Sequence, residues 1–280
     1  MKRLFSGFVI ISIMSITLIS CIDKGKRKST DDPKKVKNTT KSQNEYTYEP
    51  GQDWKLAWSD EFEIDGAPDP TNWTYDLGAG GWGNGEAQTY TNDSENVIVK
   101  NGFLKITAKI DGAGGYTSAR IKSENLQEFT YGRAEVRAKL PSTGGTWPAI
   151  WTLGANFNIV GWPACGEMDI MEHVGNNPNT VFSTLHYTGN SGGGGPSGSI
   201  EIATATSDFH NYTMVWTADT IEFWVDDNPV HNTFVNNTNT PFNNDFFFIM
   251  NVAMGGSLGG TIDSSFTEDT MEIDYIRVYQ

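Results

Sequence analysis

The chain has 280 residues, a formal net charge of −14, 30 glycines and 12% aromatic residues. The acidic balance argues against nucleic acid or another polyanion as a partner, because like charges repel. Only two cysteines are present, Cys21 and Cys165, so a framework of several disulfides is excluded.

The first twenty residues have the pattern of an export signal. Lys2 and Arg3 precede an apolar run over 4–19, which is too short and too often interrupted by serine for a membrane span. The run ends in L-I-S-C, which resembles a bacterial lipobox. We therefore predict cleavage of residues 1–20, lipidation of Cys21, and export as a lipoprotein of the outer membrane or cell surface. An ordinary cleaved signal with a chance cysteine is the alternative.

Residues 21–50 are predicted to form a disordered tether, because their lysines, aspartates, serines and threonines cannot bury a core. The lysines could lie against anionic lipid headgroups, and a solvated spacer is the alternative. Residues 51–280 form the globular domain. It holds 10 basic and 29 acidic residues, which favours a neutral substrate over a sulfated one.

Short strands separated by turns are predicted along the whole domain. Asn101-Gly102 has the pattern of a hairpin turn. Few segments have a helical pattern, so the fold is predicted to be all-β, a sandwich of two antiparallel sheets. Single strands are predicted at 54–62, 97–99, 103–109, 117–122, 131–140, 181–187, 246–254 and 271–279, and two strands with a tight turn at 226–228 are predicted over 213–230.

A glycine-rich segment at 78–91 reads G-A-G-G-W-G-N-G-E-A-Q-T-Y-T. It lacks the flanking strand and helix of a phosphate-binding loop, so that function is rejected. Its glycines stand beside Trp82, Asn84, Glu86 and Gln88. This arrangement indicates a loop that brings polar groups to a cleft, and a packing loop is the alternative.

Three side chains further along the chain are candidates for a binding surface. Arg120 offers a planar donor fork, either to sugar hydroxyls or to a carboxylate in a structural ion pair. Trp147 and Trp151 lie close together in one predicted strand. Indole rings stack on the C–H faces of sugars while donating one N–H, although two tryptophans in a strand are more often core residues.

The most informative segment, 162–175, reads W-P-A-C-G-E-M-D-I-M-E-H-V-G. It places Glu167, Asp169 and Glu172 among large apolar residues, where a carboxylate must be paired, hydrogen-bonded or protonated. Strand alternation puts the first two acids on one face, and a bulge near Met171 would bring the third onto the same face. A calcium site or a solvated edge strand is the alternative.

Three carboxylates in a row suit glycoside hydrolysis. A retaining glycosidase uses two carboxyl groups about 5 to 5.5 Å apart, one as nucleophile and one as acid/base. An acid between them can share a proton or a hydrogen bond with its neighbour, and like-charge coupling then tunes the pKa of both. The segment therefore predicts a glycosidase active site.

The stretch G-E-M-D-I-M-E-H-V-G resembles the active-site signature of family 16 glycoside hydrolases, in the form with an extra residue before the last Glu. The resemblance extends over 54–280. It implies a β-jelly roll whose concave sheet binds the substrate. It also implies that Glu167 is the nucleophile, Asp169 its assisting acid and Glu172 the general acid/base.

The resemblance implies binding roles as well. In laminarinase-like members, the glycine-rich loop lies near the non-reducing end of the bound glucan, and matching tryptophans line the donor subsites. A lone strand histidine such as His186 is usually structural, but the family places a polar residue close to the acid/base at this position. The residues predicted to bind substrate are Trp82, Asn84, Arg120, Trp147, Trp151, Trp162 and His186.

Family members often hold a structural Ca²⁺ on the convex side, through an Asp of the last strand and two backbone carbonyls. The corresponding positions are Asp274, Glu61 and Gly102, and oxygen ligands of this kind suit Ca²⁺. No cofactor is expected to take part in catalysis. Mixed-linkage β-glucanases of the family commonly carry Trp two residues after an Asn such as Asn251. Ala253 stands there instead and favours a laminarinase-like cleft.

The resulting hypothesis is a monomeric, endo-acting retaining hydrolase of β-1,3-glucan, with a membrane contact through the lipid anchor only. Alternatives within the family are lichenase, agarase, porphyranase or carrageenase activity, and transglycosylation. A non-catalytic glucan-binding protein and a purely structural surface lipoprotein are alternatives of other classes. The presence of all three acids weighs against these last two.

Overall fold

The computed structural model describes residues 53–230 and 234–280. The predicted signal peptide, the lipidation of Cys21 and the tether up to residue 50 lie outside the described residues. Within the two described ranges, no helix has the length and apolar character needed to cross a membrane.

Nineteen strands, numbered in chain order, form two sheets within these ranges. Sheet A has eleven strands, in the path β16-β15-β14-β9-β19-β5-β6-β3 with β1, β17 and β4 paired off that path. Its strands are β1 (Leu56–Asp60), β3 (Gln88–Tyr90), β4 (Val97–Lys100), β5 (Phe103–Ile110), β6 (Tyr116–Ser118), β9 (Gly132–Lys139), β14 (His210–Trp216), β15 (Thr220–Val225), β16 (Asn228–Pro229), β17 (Phe234–Val235) and β19 (Glu268–Tyr279).

Sheet B has eight strands, in the path β13-β12-β11-β10-β18-β7-β2 with β8 paired to β18. Its strands are β2 (Thr74–Asp76), β7 (Arg120–Lys122), β8 (Glu128–Phe129), β10 (Thr146–Gly154), β11 (Glu167–His173), β12 (Thr180–His186), β13 (Ser197–Glu201) and β18 (Phe246–Met254). The helices of the described ranges are single turns, α1 (Phe157–Val160), α2 (Gly256–Gly259) and two 3₁₀ turns at Gly81–Gly83 and Gly192–Gly194.

The core lies between the two sheets and follows from strand alternation. In β5, Leu104, Ile106 and Ala108 are fully buried while the residues between them are partly exposed. In sheet B, Ile150 and Met250 are fully buried and belong to the same apolar cluster. The predicted all-β sandwich of two antiparallel sheets is confirmed, since only β3 and β6 pair in parallel.

The segment after β11 makes a close turn that requires glycine. A Cβ at Gly175 would overlap the carbonyl oxygen of Thr143, which lies just before β10. The chain can therefore pass tightly over the end of its neighbour. This close passage, with the hydrogen bond from Gly175 N–H to the carbonyl of Thr146, holds the end of β11 that carries Glu172 against the start of β10.

Candidate active site

Strand β11 contains a β-bulge. In its pairing with β10, Trp151 lies opposite Asp169 and Ile150 lies opposite Met171, so Ile170 is an extra residue. The pairing of β11 with β12 shifts at the same place. The bulge that the sequence predicts near Met171 is present.

The bulge decides which side chains face the core. Met168, Ile170 and Met171 are all fully buried in the main apolar cluster, although strict alternation would separate the last two. Glu172 thereby returns to the face that Glu167 already occupies. The three acids of β11 consequently lie in one row on the outer face of sheet B.

Two indoles donate hydrogen bonds to the outer acids of this row. Trp162 Nε1 donates to Glu167 Oε2 at 2.8 Å, and Trp147 Nε1 donates to Glu172 Oε1 at 3.0 Å. Trp162 is 47% exposed, so one face of its ring is open to a ligand. The two predicted binding tryptophans therefore also orient carboxylates.

His186 lies beside Glu167 and Asp169. It lies opposite Glu167 in the pairing of β12 with β11, and its Nε2 is 3.1 Å from Asp169 Oδ2 and 3.8 Å from Glu167 Oε1. Gly195 lies in the glycine-rich loop between β12 and β13 and packs against the other side of the imidazole ring. A Cβ there would lie 2.8 Å from His186 Nδ1. His186 is thus held between the acids and this loop.

The environment of the row favours protonated carboxyls. Burial raises the pKa of Glu167 well above its usual range, and the neighbouring charge of Asp169 adds to the effect. Burial and the charge of Glu172 likewise raise the pKa of Asp169, which is 3% exposed. Burial raises the pKa of Glu172, while the hydrogen bond from Trp147 opposes the rise. Ionising all three neighbouring carboxyl groups would have a large electrostatic cost. The row can therefore hold a proton donor beside an ionised nucleophile.

Arg120 lies at the other end of the outer face. Its Cζ is 5.0 Å from the ring centroid of Trp82 and 4.8 Å from that of Trp151, so the guanidinium makes a cation–π contact with each indole. Its Nε is 2.9 Å from Asp76 Oδ2, across the pairing of β2 with β7. Of the two predicted roles, the ion pair with a carboxylate is therefore present.

The glycine-rich loop brings its polar residues to the same end. Trp82 adopts a positive φ of 48°, and its Nε1 donates to the carbonyl of Gly78 at 3.2 Å. Asn84 is exposed and its Nδ2 donates to Glu86 Oε1 at 3.1 Å. Of the two predicted binding residues in this loop, Trp82 contacts Arg120 and Asn84 contacts Glu86.

Sequence reasoning missed the hydrogen-bond chain that connects this loop to sheet B. Glu86 Oε2 accepts from Gln88 Nε2 at 2.6 Å and from the Tyr90 hydroxyl at 3.2 Å. Asn251 Nδ2 donates to that hydroxyl at 3.1 Å, and Asn251 Oδ1 accepts from Trp151 Nε1 at 2.9 Å. The available signal was Asn251, the one polar residue of an apolar strand, but its partners are far away in sequence.

Cys165 precedes the nucleophile position by two residues. It is fully buried against Leu153, Phe247 and Ile249. Burial raises the pKa of its thiol to about 11, so the thiolate is scarce at neutral pH. The side chain therefore fills space within this apolar cluster.

The residues predicted to hold calcium lie on sheet A and at a turn beside it. Arg137 donates to Asp274 Oδ2 at 2.7 Å, and Arg277 makes two bonds of 2.8 Å to the Glu61 carboxylate. Gly102 takes a positive φ of 79° in the β4–β5 turn. A carboxylate and two carbonyls suit Ca²⁺, but the ion would share Asp274 with Arg137. Calcium binding stays a prediction.

A different group has the ligand types of a transition-metal site. Donor atoms of Glu167, Asp169 and His186 lie within 4.8 Å of one another, and in the described ranges no other trio of such residues comes as close. His186 already contacts both acids on the outer face of sheet B. Their arrangement is accounted for without a metal.

A two-sheet sandwich with a row of buried acids on one outer face, bordered by tryptophans, defines a glycoside hydrolase of the β-sandwich class. The family model "Glycosyl hydrolases family 16" matches residues 84–277. The chain therefore belongs to glycosyl hydrolase family 16, and the predicted jelly roll is confirmed.

Individual relatives agree with this assignment. The "Beta-glucanase" of Rhodothermus marinus is 43% identical over 245 residues, which cover 81% of this chain and 85% of that protein. The laminarinase structure from Flavobacterium sp. UMI-01 has a TM-score of 0.76 at 43% identity and covers 81% of this chain and 100% of that one. A Z. galactanivorans structure in complex with laminaritriose and laminaritetraose has a TM-score of 0.73 at 43% identity, with 80% and 98% covered.

Proposed function

We propose that this protein is an endo-acting retaining glycoside hydrolase that cleaves β-1,3-glucan of the laminarin type. The observation that carries the proposal is the bulged strand β11, which presents Glu167, Asp169 and Glu172 in one row. Indole N–H groups orient the two outer carboxyls. One relative that is 43% identical is a laminarinase, and another at 43% identity was solved in complex with laminaritriose and laminaritetraose.

The first step transfers the glycosyl unit to the protein. Protonated Glu172 gives its proton to the glycosidic oxygen, while Glu167, whose ionised form the hydrogen bond from Trp162 favours, attacks the anomeric carbon. The C–O bond to the leaving sugar breaks and an ester bond to Glu167 forms. The indole of Trp162 holds one oxygen of this carboxylate, which leaves the other to attack.

The second step releases the product. Glu172, now ionised, takes a proton from a water molecule that attacks the anomeric carbon, and the ester bond to Glu167 breaks. Two inversions return the original anomeric configuration. Asp169 shares a proton with its neighbour and so adjusts the charge of the row as Glu167 alternates between carboxylate and ester.

The substrate preference has support of two kinds. Ala253 occupies the position where mixed-linkage enzymes commonly carry Trp, and the laminari-oligosaccharide complex of the relative concerns β-1,3-linked sugars. Lichenan cleavage is the second candidate, because one relative is named "Beta-glucanase" without a stated linkage. Product analysis separates the two activities.

The test is to incubate the full chain with laminarin, lichenan, curdlan and agarose and to resolve the products by size. We expect short β-1,3-oligosaccharides from laminarin, with the anomeric configuration of fresh products retained by NMR. Glu167→Gln should bind laminarin without turnover. Hydrolysis by that variant would refute the nucleophile assignment, and tight binding by wild type without products would indicate a glucan-binding protein instead.

We also propose that the protein is exported, anchored through lipidated Cys21 at the outer membrane or cell surface, and monomeric. The support is the apolar run over 4–19 and the L-I-S-C motif. Detergent phase partitioning of wild type and Cys21→Ser tests the anchor. Equal partitioning of the two forms into the aqueous phase would contradict it.

A further inference from the structure

Five side chains near the glycine-rich loop form a closed circuit of contacts. The ring centroids of Tyr90 and Trp82 lie 5.2 Å apart, and the guanidinium of Arg120 contacts the rings of both Trp82 and Trp151. Trp151 donates to Asn251, and Asn251 donates to the hydroxyl of Tyr90. Each member touches two others, so none can turn without displacing its neighbours. We call these five residues the clamp.

The clamp divides into two parts by exposure. Tyr90 is 2% exposed and Asn251 is 5% exposed, so a polymer in the cleft cannot reach their polar groups. Trp82, Arg120 and Trp151 are only half-buried. The buried pair therefore supports the three residues that a glucan chain can contact.

In the hydrogen-bond chain that runs from Trp151 through Asn251 and Tyr90 to Glu86, each group can act as donor or acceptor in only one way. An indole Nε1 is a donor only, so Asn251 must accept from Trp151 with Oδ1 and donate with Nδ2. The Tyr90 hydroxyl must then accept from Asn251 and donate to Glu86. The carboxylate of Glu86 accepts only, and it ends the chain. A buried network in which every group is satisfied in one way holds its members rigidly.

We propose that Tyr90 and Asn251 are positioning residues that set glucan affinity by fixing the indole of Trp151 and, through it, Arg120. This inference rests on the proposed function, because it assigns the clamp to glucan binding. Neither residue touches the row of acids on β11. Their loss should therefore weaken substrate binding while the chemical step continues.

The test uses the full chain with Tyr90→Phe, Asn251→Leu and both together. We expect each variant to raise KM for laminarin about three- to tenfold, a typical effect of disrupting buried hydrogen bonds, with kcat within about twofold of wild type. The double variant should not exceed the more affected single variant, because both changes break the same chain. The matched control is Tyr212→Phe, which removes the hydroxyl of a fully buried tyrosine on β14.

A second readout needs no substrate. In ¹⁵N-labelled protein, the indole N–H resonance of Trp151, assigned by its disappearance in Trp151→Phe, should move in Tyr90→Phe and stay in place in Tyr212→Phe. An unmoved resonance overturns the positioning role whether or not laminarin is cleaved. Additive changes in KM, or a fall in kcat with KM unchanged, overturn it as well. If wild type leaves laminarin intact while the Trp151 resonance moves in Tyr90→Phe, the proposed function is refuted and the positioning of Trp151 by the clamp is not.

Discussion

Deletion of Met171 should leave an active protein, whereas deletion of Met168 from the same strand should not. Met171 lies in the bulge, where β11 has one residue more than β10. Without it, Ile170 can pair with Ile150, and Glu172 keeps both its face and its partner Ala149. The shortened strand then alternates regularly, and the three acids still share one face.

The two deletions differ in magnitude. Met171 is fully buried, so its loss should cost about 2–5 kcal/mol of unfolding free energy, as other large-to-small core changes do. For a domain of this size, that corresponds to a fall in Tm of about 4–20 °C. We expect kcat/KM to stay within about tenfold of wild type. Deletion of Met168 makes Glu167 and Asp169 adjacent, so they must face opposite sides of the sheet, and activity should fall by at least about 10³-fold.

The assay is reducing-sugar release from laminarin at 20 °C, with Tm measured on the same samples. Both variants lack one methionine of β11, so composition and length are matched. Equal loss of activity in the two variants, both still folded, would refute the reasoning that the bulge exists to set the phase of the strand. Greater activity after deletion of Met168 would refute the assignment of the acids as well.

Three further predictions concern other parts of the structure. Gly195→Ala should lower kcat/KM, because the added Cβ would lie 2.8 Å from His186 Nδ1. The control Gly193→Ala places its Cβ in open space and should leave kcat/KM unchanged. Equal effects of the two substitutions on kcat/KM would contradict a role for the contact with His186. The raised pKa of Asp169 means that the folded protein favours the protonated form of this carboxyl. The resulting stabilisation of the folded protein is present at low pH and is lost as pH rises. The Tm of Asp169→Asn relative to wild type should therefore increase between pH 4 and pH 8, and a constant difference would argue against the shift. Ca²⁺ should raise Tm over EDTA-treated protein in wild type but not in Asp274→Asn, and an unchanged wild-type Tm would exclude the calcium site.

Strand order along the chain and the acidic row could be predicted because their signals are local. Alternating apolar residues mark each strand, and the spacing of Glu167, Asp169 and Glu172 already requires a bulge if the acids are to share a face. The cost of burying carboxylates makes any other arrangement expensive. These inferences needed no knowledge of which strands are neighbours.

The partners of the clamp could not be predicted because they depend on tertiary pairing. Arg120 meets Asp76 only because β2 and β7 are adjacent, and Tyr90 meets Asn251 although they are 161 residues apart. Nothing within either segment specifies the other. The same holds for Asp274, whose pairing with Arg137 crosses from β19 to β9. Sequence can identify a polar residue that needs a partner, but the sheet order supplies the partner.

The buried thiol two residues before Glu167 makes the site observable in a way that activity assays do not. Cys165 is the free cysteine of the described ranges, and a thiol reagent can reach it only when its packing against β10 and β18 opens. The rate of labelling of the domain therefore reports how often this part of the cleft opens. Glucan that binds at the predicted positions Trp162 and Trp147 should slow that labelling, and the decrease in rate would measure the rigidity that substrate adds.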